Sequence, residues 1–189
     1  MGGTSQAEAY IAACWPHIQV SYCHASLGSK VLVEMVPGIK HYAGKNLVAS
    51  GASLNEMFTD TANDLGSADL MLYMAADTDY YGTVGIAWCP VVCDPSQYNK
   101  YKSSINEWRQ THAASAHVMA HEMGHNLGMR HDFIDEHKAS GCDGAGIMSY
   151  GNPPNQWSTC SVADFTAQYK VRQSSWCLPG KYHGFFRNG

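Results

Sequence analysis

His121-Glu122-Met123-Gly124-His125-Asn126-Leu127-Gly128-Met129-Arg130-His131-Asp132 is the stretch whose reading decides the fold. An α-helix turns about 100° per residue, so His121 and His125 lie one above the other on one face and can grip a single metal ion. A helix that simply continued would carry His131 away, because six further residues add roughly 9 Å of rise. Gly128 removes that difficulty. Glycine takes φ > 0 readily, so the helix can stop there and the chain can double back. Three neutral imidazoles leave a fourth position open to water, which marks a catalytic rather than a structural zinc site. Glu122, beside the first ligand, is placed to take a proton from that water and hand it to a leaving amine.

A histidine-rich helix that merely packs is the plain alternative. It leaves the glycine, the third histidine and the glutamate at their fixed offsets without a reason. His117 extends the run to i, i+4, i+8, but its Cα lies about 12 Å along the axis from that of His125, too far for one ion. Pairing His117 with His121 would put Val118 where the base belongs. His117 therefore reads as a packing residue or a support to the ligands, and His112 as a solvated residue near the helix start.

The pattern H-E-x-x-H-x-x-G-x-x-H-D resembles the metzincin zinc endopeptidases. The aspartate after the third histidine resembles their adamalysin (reprolysin) branch, which includes snake-venom metalloproteinases and ADAM proteases. The resemblance implies one catalytic Zn2+ on His121, His125 and His131, with Glu122 as the base and protein or peptide substrates. It implies a methionine turn beneath the ligands, matched by Ile147-Met148-Ser149-Tyr150, with Met148 seventeen residues past His131. Asp132 would anchor the loop after the third ligand to backbone amides. Tyr150 departs from the branch and is similar to the astacins and serralysins, where a tyrosine at this place approaches the zinc. It is read either as a hydrogen-bond donor to the tetrahedral intermediate or as a lining of the specificity pocket. Residues 149–154 would wall the pocket for the first residue beyond the scissile bond, since the prolines hold them extended. Thr83, Val84, Gly85, Ile86 and Ala87 match the family's edge strand, which pairs antiparallel with an extended substrate; Gly85 would let the substrate backbone approach. Some relatives also bind a structural calcium, for which no ligand set aligns here.

The same resemblance implies an α/β (α+β) metzincin fold. Its parts would be a mixed, mostly parallel twisted sheet with an antiparallel edge strand, a long zinc-binding helix and a small irregular C-terminal subdomain. The whole chain, 1–189, reads as one catalytic domain, with an N-terminal subdomain to about residue 131 and a C-terminal one from about residue 132.

Composition agrees with such a domain: 189 residues, 45% hydrophobic and 15% charged, are ordinary for a globular chain able to bury a core. A net charge of −4 gives no electrostatic reason to expect nucleic acid or an anionic membrane as partner. No apolar run approaches the roughly 20 residues needed to cross a bilayer, and the start lacks a charged-then-apolar leader. A monomer is expected. The seven cysteines, at 14, 23, 89, 93, 142, 160 and 177, are many for a cytosolic enzyme and show no zinc-ribbon spacing. Disulfides in an oxidising compartment, and hence a secreted, extracellular protein, are the better reading. The family resemblance implies Cys93 with Cys177; Cys142 with Cys160 would then staple the methionine-turn loop. Cys14, Cys23 and Cys89 remain, so one thiol is left free or pairs with another chain.

Along the chain, residues 8–15 read as a short helix, and 18–22 and 30–36 as strands rich in valine. Ser53 with Glu56 resembles a capping box opening a helix that ends at Gly66. Apolar runs at 69–75 and 83–88 read as strands, with a further strand in the polar stretch at 104–108. The zinc helix opens at 111–114, and Ser161 with Asp164 resembles a second capping box before a helix over 162–170.

The expected function is a secreted zinc endopeptidase, with an arthropod-type venom or secreted enzyme as the suggested kind on analogy alone. Two other classes are weighed against it. One is a catalytically silent module of the same fold that binds through its surface, against which the retained Glu122 argues. The other is a zinc hydrolase of small amides, against which the long edge strand argues.

Overall fold

A computed structural model describes residues 4–28, 31–36, 38–42, 44–75, 82–94 and 99–172. The first element is the helix α1, Thr4–Tyr22. It runs through Pro16, which removes one helical hydrogen bond and ordinarily costs about 3 kcal/mol. What offsets that cost is burial: Cys14, Ile18 and Tyr22, spaced i, i+4, i+8, are each completely buried. Residues 18–22, expected as a strand, are thus the last turns of a helix. The described part of the next expected strand, 31–36, has no regular structure. Its backbone is tied to α1 instead, by Val31 N–H donating to the Tyr22 carbonyl and Gln19 Nε2 donating to the Val33 carbonyl.

Two short helices follow, α2 (Gly51–Glu56) and α3 (Phe58–Asp64). The cap of α2 is Ser50, whose hydroxyl accepts from Ser53 N–H, so the start lies three residues before the expected cap at Ser53. The sheet has three strands, β1 (Met71–Ala75), β2 (Gly85–Ala87) and β3 (Ser103–Glu107), in spatial order β1-β3-β2. The β1–β3 pair is parallel and the β2–β3 pair antiparallel. The sheet is therefore mixed with an antiparallel edge, and among the described strands parallel pairing does not predominate.

The central strand β3 is buried along its length although it reads Ser-Ser-Ile-Asn-Glu. Its polar side chains are satisfied in part: Asn106 Nδ2 donates to the Tyr73 carbonyl and Ser104 Oγ, and Glu107 pairs with Arg109 at 2.7 Å, while Ser103 Oγ and Asn106 Oδ1 are buried without a hydrogen-bond partner among the described residues. Strand alternation separates the two faces. Tyr73, Ile86 and Ile105 pack with Leu54 and Met57 of the α2–α3 side, while Leu72 and Met74 pack into the larger core.

That larger core is built on α4, His112–Asn126, capped by Thr111 Oγ1 accepting from Ala114 N–H. Ala116, Met119, Ala120 and Met123 of α4 meet Cys14, Ile18 and Tyr22 of α1, and the Tyr22 hydroxyl donates to the Ala120 carbonyl. After α4 come a short helix α5 (Asp135–Ala139) and then α6 (Thr159–Val171). The cap of α6 is Ser158, not Ser161. Asp164, expected to complete a capping box, instead receives the Arg130 backbone N–H and guanidinium. A Cys142–Cys160 disulfide links the loop after α5 to α6, as read from the sequence. The expected Cys93–Cys177 pairing involves Cys177, which lies outside the described residues.

Candidate active site

The end of α4 brings the histidines together. Gly128 has φ +97°, its N–H donates to the His125 carbonyl, and Met129 N–H donates to the Gly124 carbonyl. These two bonds form a Schellman motif, which closes the helix and reverses the chain. Nothing larger than glycine fits there, because a Cβ at 128 would lie 3.1 Å from both Cβ and Cδ of Gln168 on α6.

As a result, one ligand atom from each of His121, His125 and His131 lies within 4.8 Å of the others. Among the described residues this is the one group of three or more metal-ligating side chains so placed. His125 Nε2 and His131 Nε2 are 3.0 Å apart, close to the about 3.3 Å edge of a tetrahedron with zinc–nitrogen bonds of about 2.0–2.1 Å. Two backbone carbonyls fix the tautomers. His121 Nδ1–H donates to the Ile147 carbonyl at 2.7 Å and His125 Nδ1–H to the Met129 carbonyl at 2.8 Å, leaving each Nε2 lone pair for a metal. Burial, then the neighbouring imidazoles, lower the His121 pKa to about 3, and burial, then His131, lower that of His125 to about 4. Both are thus neutral, as ligands must be. The donor set suits one zinc ion. His117 is half-buried outside this group, and His112 is exposed, with its ring against Tyr10.

Glu122 is buried, and burial pushes its carboxyl up to about 8. A cation on the three imidazoles would draw it back down. Its carboxylate lies against Gly85 of β2: a Cβ at 85 would come within 2.8 Å of Glu122 Cγ and Cδ. The space over this glycine is therefore filled by the Glu122 side chain. Of the other edge-strand residues, Thr83 makes an isolated bridge, Val84 is exposed, and Ile86 and Ala87 are half-buried.

The loop after His131 is held from below. Asp132 is fully buried and its N–H donates to the Met148 carbonyl. Its carboxylate accepts from the hydroxyls of Ser149, Ser158 and Ser161. The expected anchoring through backbone amides is thus replaced by serine hydroxyls. Met148 is fully buried beneath α4. Tyr150 is 69% exposed, its ring 5.2 Å from that of His131 and 4.2 Å from that of Phe133. Phe133 stacks on His131 at 4.4 Å.

Three residues escaped the sequence reading. Asn126, completely buried, donates through Nδ2 to the Trp88 carbonyl at 2.8 Å and the Ser103 carbonyl at 3.2 Å, riveting the ligand helix to both β2 and β3. His137 Nδ1–H donates to the His131 carbonyl, and Arg130 joins Glu136 to Asp164 beside it. The one signal for Asn126 was a polar residue where the apolar face of α4 meets its end.

Comparison with known proteins adds the following. Residues 34–167 match the reprolysin-type family model described as metallo-peptidase family M12. Over 85 residues the chain is 38% identical to "A disintegrin and metalloproteinase with thrombospondin motifs adt-1" of Caenorhabditis elegans, covering 44% of this chain and 5% of that protein. It is 38% identical over 103 residues to human "A disintegrin and metalloproteinase with thrombospondin motifs 6" (51% and 8%), and 36% over 112 residues to human "Disintegrin and metalloproteinase domain-containing protein 9" (58% and 12%). The chain thus spans a small part of the length of the relatives it matches. A solved structure described as "Structure of a chaperone-substrate complex" has a TM-score of 0.59 at 19% identity, over 92% of this chain and 32% of that one, which speaks for the fold alone. Because the family match takes in the whole run from β1 through the histidine helix to α6, the chain belongs to the reprolysin-type metallopeptidases of family M12.

Proposed function

We propose that the chain is a secreted zinc-dependent endopeptidase that hydrolyses peptide bonds in protein or peptide substrates. The carrying observation is the convergence of three histidine ligand atoms within 4.8 Å, with the buried Glu122 carboxylate packed against the edge strand. When bound, zinc polarises the scissile carbonyl and lowers the pKa of water. The residues supply the rest. Glu122 accepts the proton of the attacking water and delivers it to the departing nitrogen. His121, His125 and His131 hold the ion, and the Ile147 and Met129 carbonyls keep two of those rings oriented.

Residues 83–87 receive an extended peptide antiparallel along the open side of β2. Tyr150, exposed beside His131, lines the cleft and donates to the developing oxyanion. The cleft lies between the part up to about residue 131 and the smaller part after it. The Cys142–Cys160 disulfide supports an oxidising, extracellular setting. Among the described residues no helix is long and apolar enough to cross a membrane.

The test is cleavage of a diverse peptide library by the wild type and Glu122→Ala, each with zinc content measured. The expected result is cutting by the wild type and loss of cutting, with zinc retained, in the variant. Zinc retained in both with cutting in neither would overturn the reading in favour of a binding module.

A further inference from the structure

The structure points to Gly85 as the residue that positions the general base, through the side chain it lacks; we propose this on the reading of Glu122 given above. Residue parity on β2 decides which way position 85 faces. Ile86 packs with Tyr73 and Ile105 on the α2–α3 side of the sheet, so Gly85, one residue earlier, faces α4. There a Cβ would lie 2.8 Å from both Cγ and Cδ of Glu122 and closer still to Oε1, separations that Cβ atoms do not adopt. The neighbour it would strike is a buried side chain, 4% exposed, with little room to swing aside.

The main chain of the same residue has a different outlook. Glu107 N–H donates to the Val84 carbonyl, and antiparallel ladder bonds alternate, so Val84 and Ile86 are the residues bonded to β3. The N–H and C=O of Gly85 and Ala87 then face away from β3, on the side where no strand pairs with β2 among the described residues. A substrate backbone docking there meets Gly85 in the plane of the sheet, while the Glu122 carboxylate rests on that glycine from above. One residue therefore sets the height of the base over the peptide it acts on. Asn126 holds the two parts in this relation, since its Nδ2 joins the last turn of α4 to the Trp88 carbonyl at the end of β2.

It follows that a methyl group at 85 displaces the base rather than blocking the docking edge. The test is a four-member cycle of wild type, Gly85→Ala, Glu122→Ala and the double variant, read by thermal unfolding and by peptide kinetics with zinc content measured. Gly85→Ala is expected to lower Tm by about 3 °C or more where Glu122 is present, and by less than about 1 °C in the E122A background, where the side chain it would strike is gone. With Glu122 present it is expected to lower kcat at least tenfold with KM changed less than threefold. Equal Tm penalties in the two backgrounds, or an unchanged kcat, would overturn the inference. Should the wild type itself cut no peptide, the endopeptidase reading fails, and the unfolding cycle still reports on the contact.

Discussion

Gly124 lies directly over Met148: a Cβ at 124 would come 2.7 Å from the Met148 sulfur and 3.3 Å from Cζ3 of Trp157. The glycine between the two helical histidines is thus what lets the thioether sit under the ligand helix. Two effects compete on substitution. Alanine gains about 1 kcal/mol of helix propensity over glycine in a helix interior, whereas overpacking a fully buried site costs about 1–3 kcal/mol. Met148 is completely buried, so the second effect wins. Gly124→Ala is expected to lose up to about 2 kcal/mol net in urea unfolding and to release zinc faster. A gain in stability would show that the methionine can move aside.

Gly128 and Gly141 offer a paired measurement. Both have positive φ, +97° and +75°, but a Cβ at 128 meets Gln168 while one at 141 meets nothing within 4 Å. Gly141→Ala should therefore cost only the left-handed strain of about 1–2 kcal/mol, and Gly128→Ala that strain plus an overpacking cost of about 1–3 kcal/mol. Gly128→Ala should also disturb His131, whose placement depends on the reversal. Equal losses in denaturant unfolding would mean that Gln168 swings away without cost.

The ligand set was legible because its information is local: two histidines at helical spacing and a glycine that must end the helix can be read without knowing what they pack against. The three strands were legible to within two residues of their bounds, but not their order in the sheet, for the opposite reason. Ser103-Ser104-Ile105-Asn106-Glu107 lacks the alternation of a half-exposed strand, and its central, buried place rests on contacts distant in sequence, such as Asn126 Nδ2 donating to the Ser103 carbonyl. Residues 18–22 read as a strand from their valine-rich composition, whereas the burial of Cys14, Ile18 and Tyr22 against α4 carries the helix on through them. At both α2 and α6 the true cap is a serine three residues before another serine, Ser50 before Ser53 and Ser158 before Ser161. The nearby acids at 56 and 164 drew the reading to the wrong member of each pair. Which residue Asp164 or Gly85 would face is set by tertiary contact, and no local pattern carries it.

The three hydroxyls on Asp132 make a graded series. Ser149→Ala removes one donor and should cost about 1 kcal/mol. Asp132→Asn keeps the shape but loses the charge-assisted bonds, each worth about 1.5–3 kcal/mol, and sets an amide donor against a hydroxyl. Asp132→Ala leaves the hydroxyls of Ser149, Ser158 and Ser161 without their shared acceptor and loosens the Ser158 cap of α6. It should cost roughly 3 kcal/mol or more. Denaturant unfolding checks the order Asp132→Ala, Asp132→Asn, Ser149→Ala from largest to smallest loss. If Asp132→Asn proved as stable as the wild type, the carboxylate's charge would have no part in holding the loop.

The three free thiols among the described residues, Cys14, Cys23 and Cys89, should differ sharply in reactivity. Cys14 is completely buried, and burial pushes its pKa up to about 11; Cys23 is exposed. Cys89 has an exposed residue surface, but partial burial of the thiol and then the Asp164 carboxylate push its pKa up to about 11, against the opposing effect of Arg130. The thiolate is the reactive species, so a pKa raised to about 11 leaves on the order of one part in a thousand ionised at pH 8. With iodoacetamide at pH 8, mass spectrometry should show Cys23 modified first, Cys89 slowly and Cys14 not at all until the protein unfolds. Raising the pH toward 10 should speed Cys89 by tens of fold, because its thiolate fraction climbs about tenfold per unit below its pKa. Cys14 should stay protected over the same range, since its barrier is access as well as ionisation. Cys142 and Cys160, joined to each other, should label only after reduction. Labelling of Cys14 at the rate of Cys23 in the folded protein would contradict the packing of α1 against α4, because that interface is what covers it.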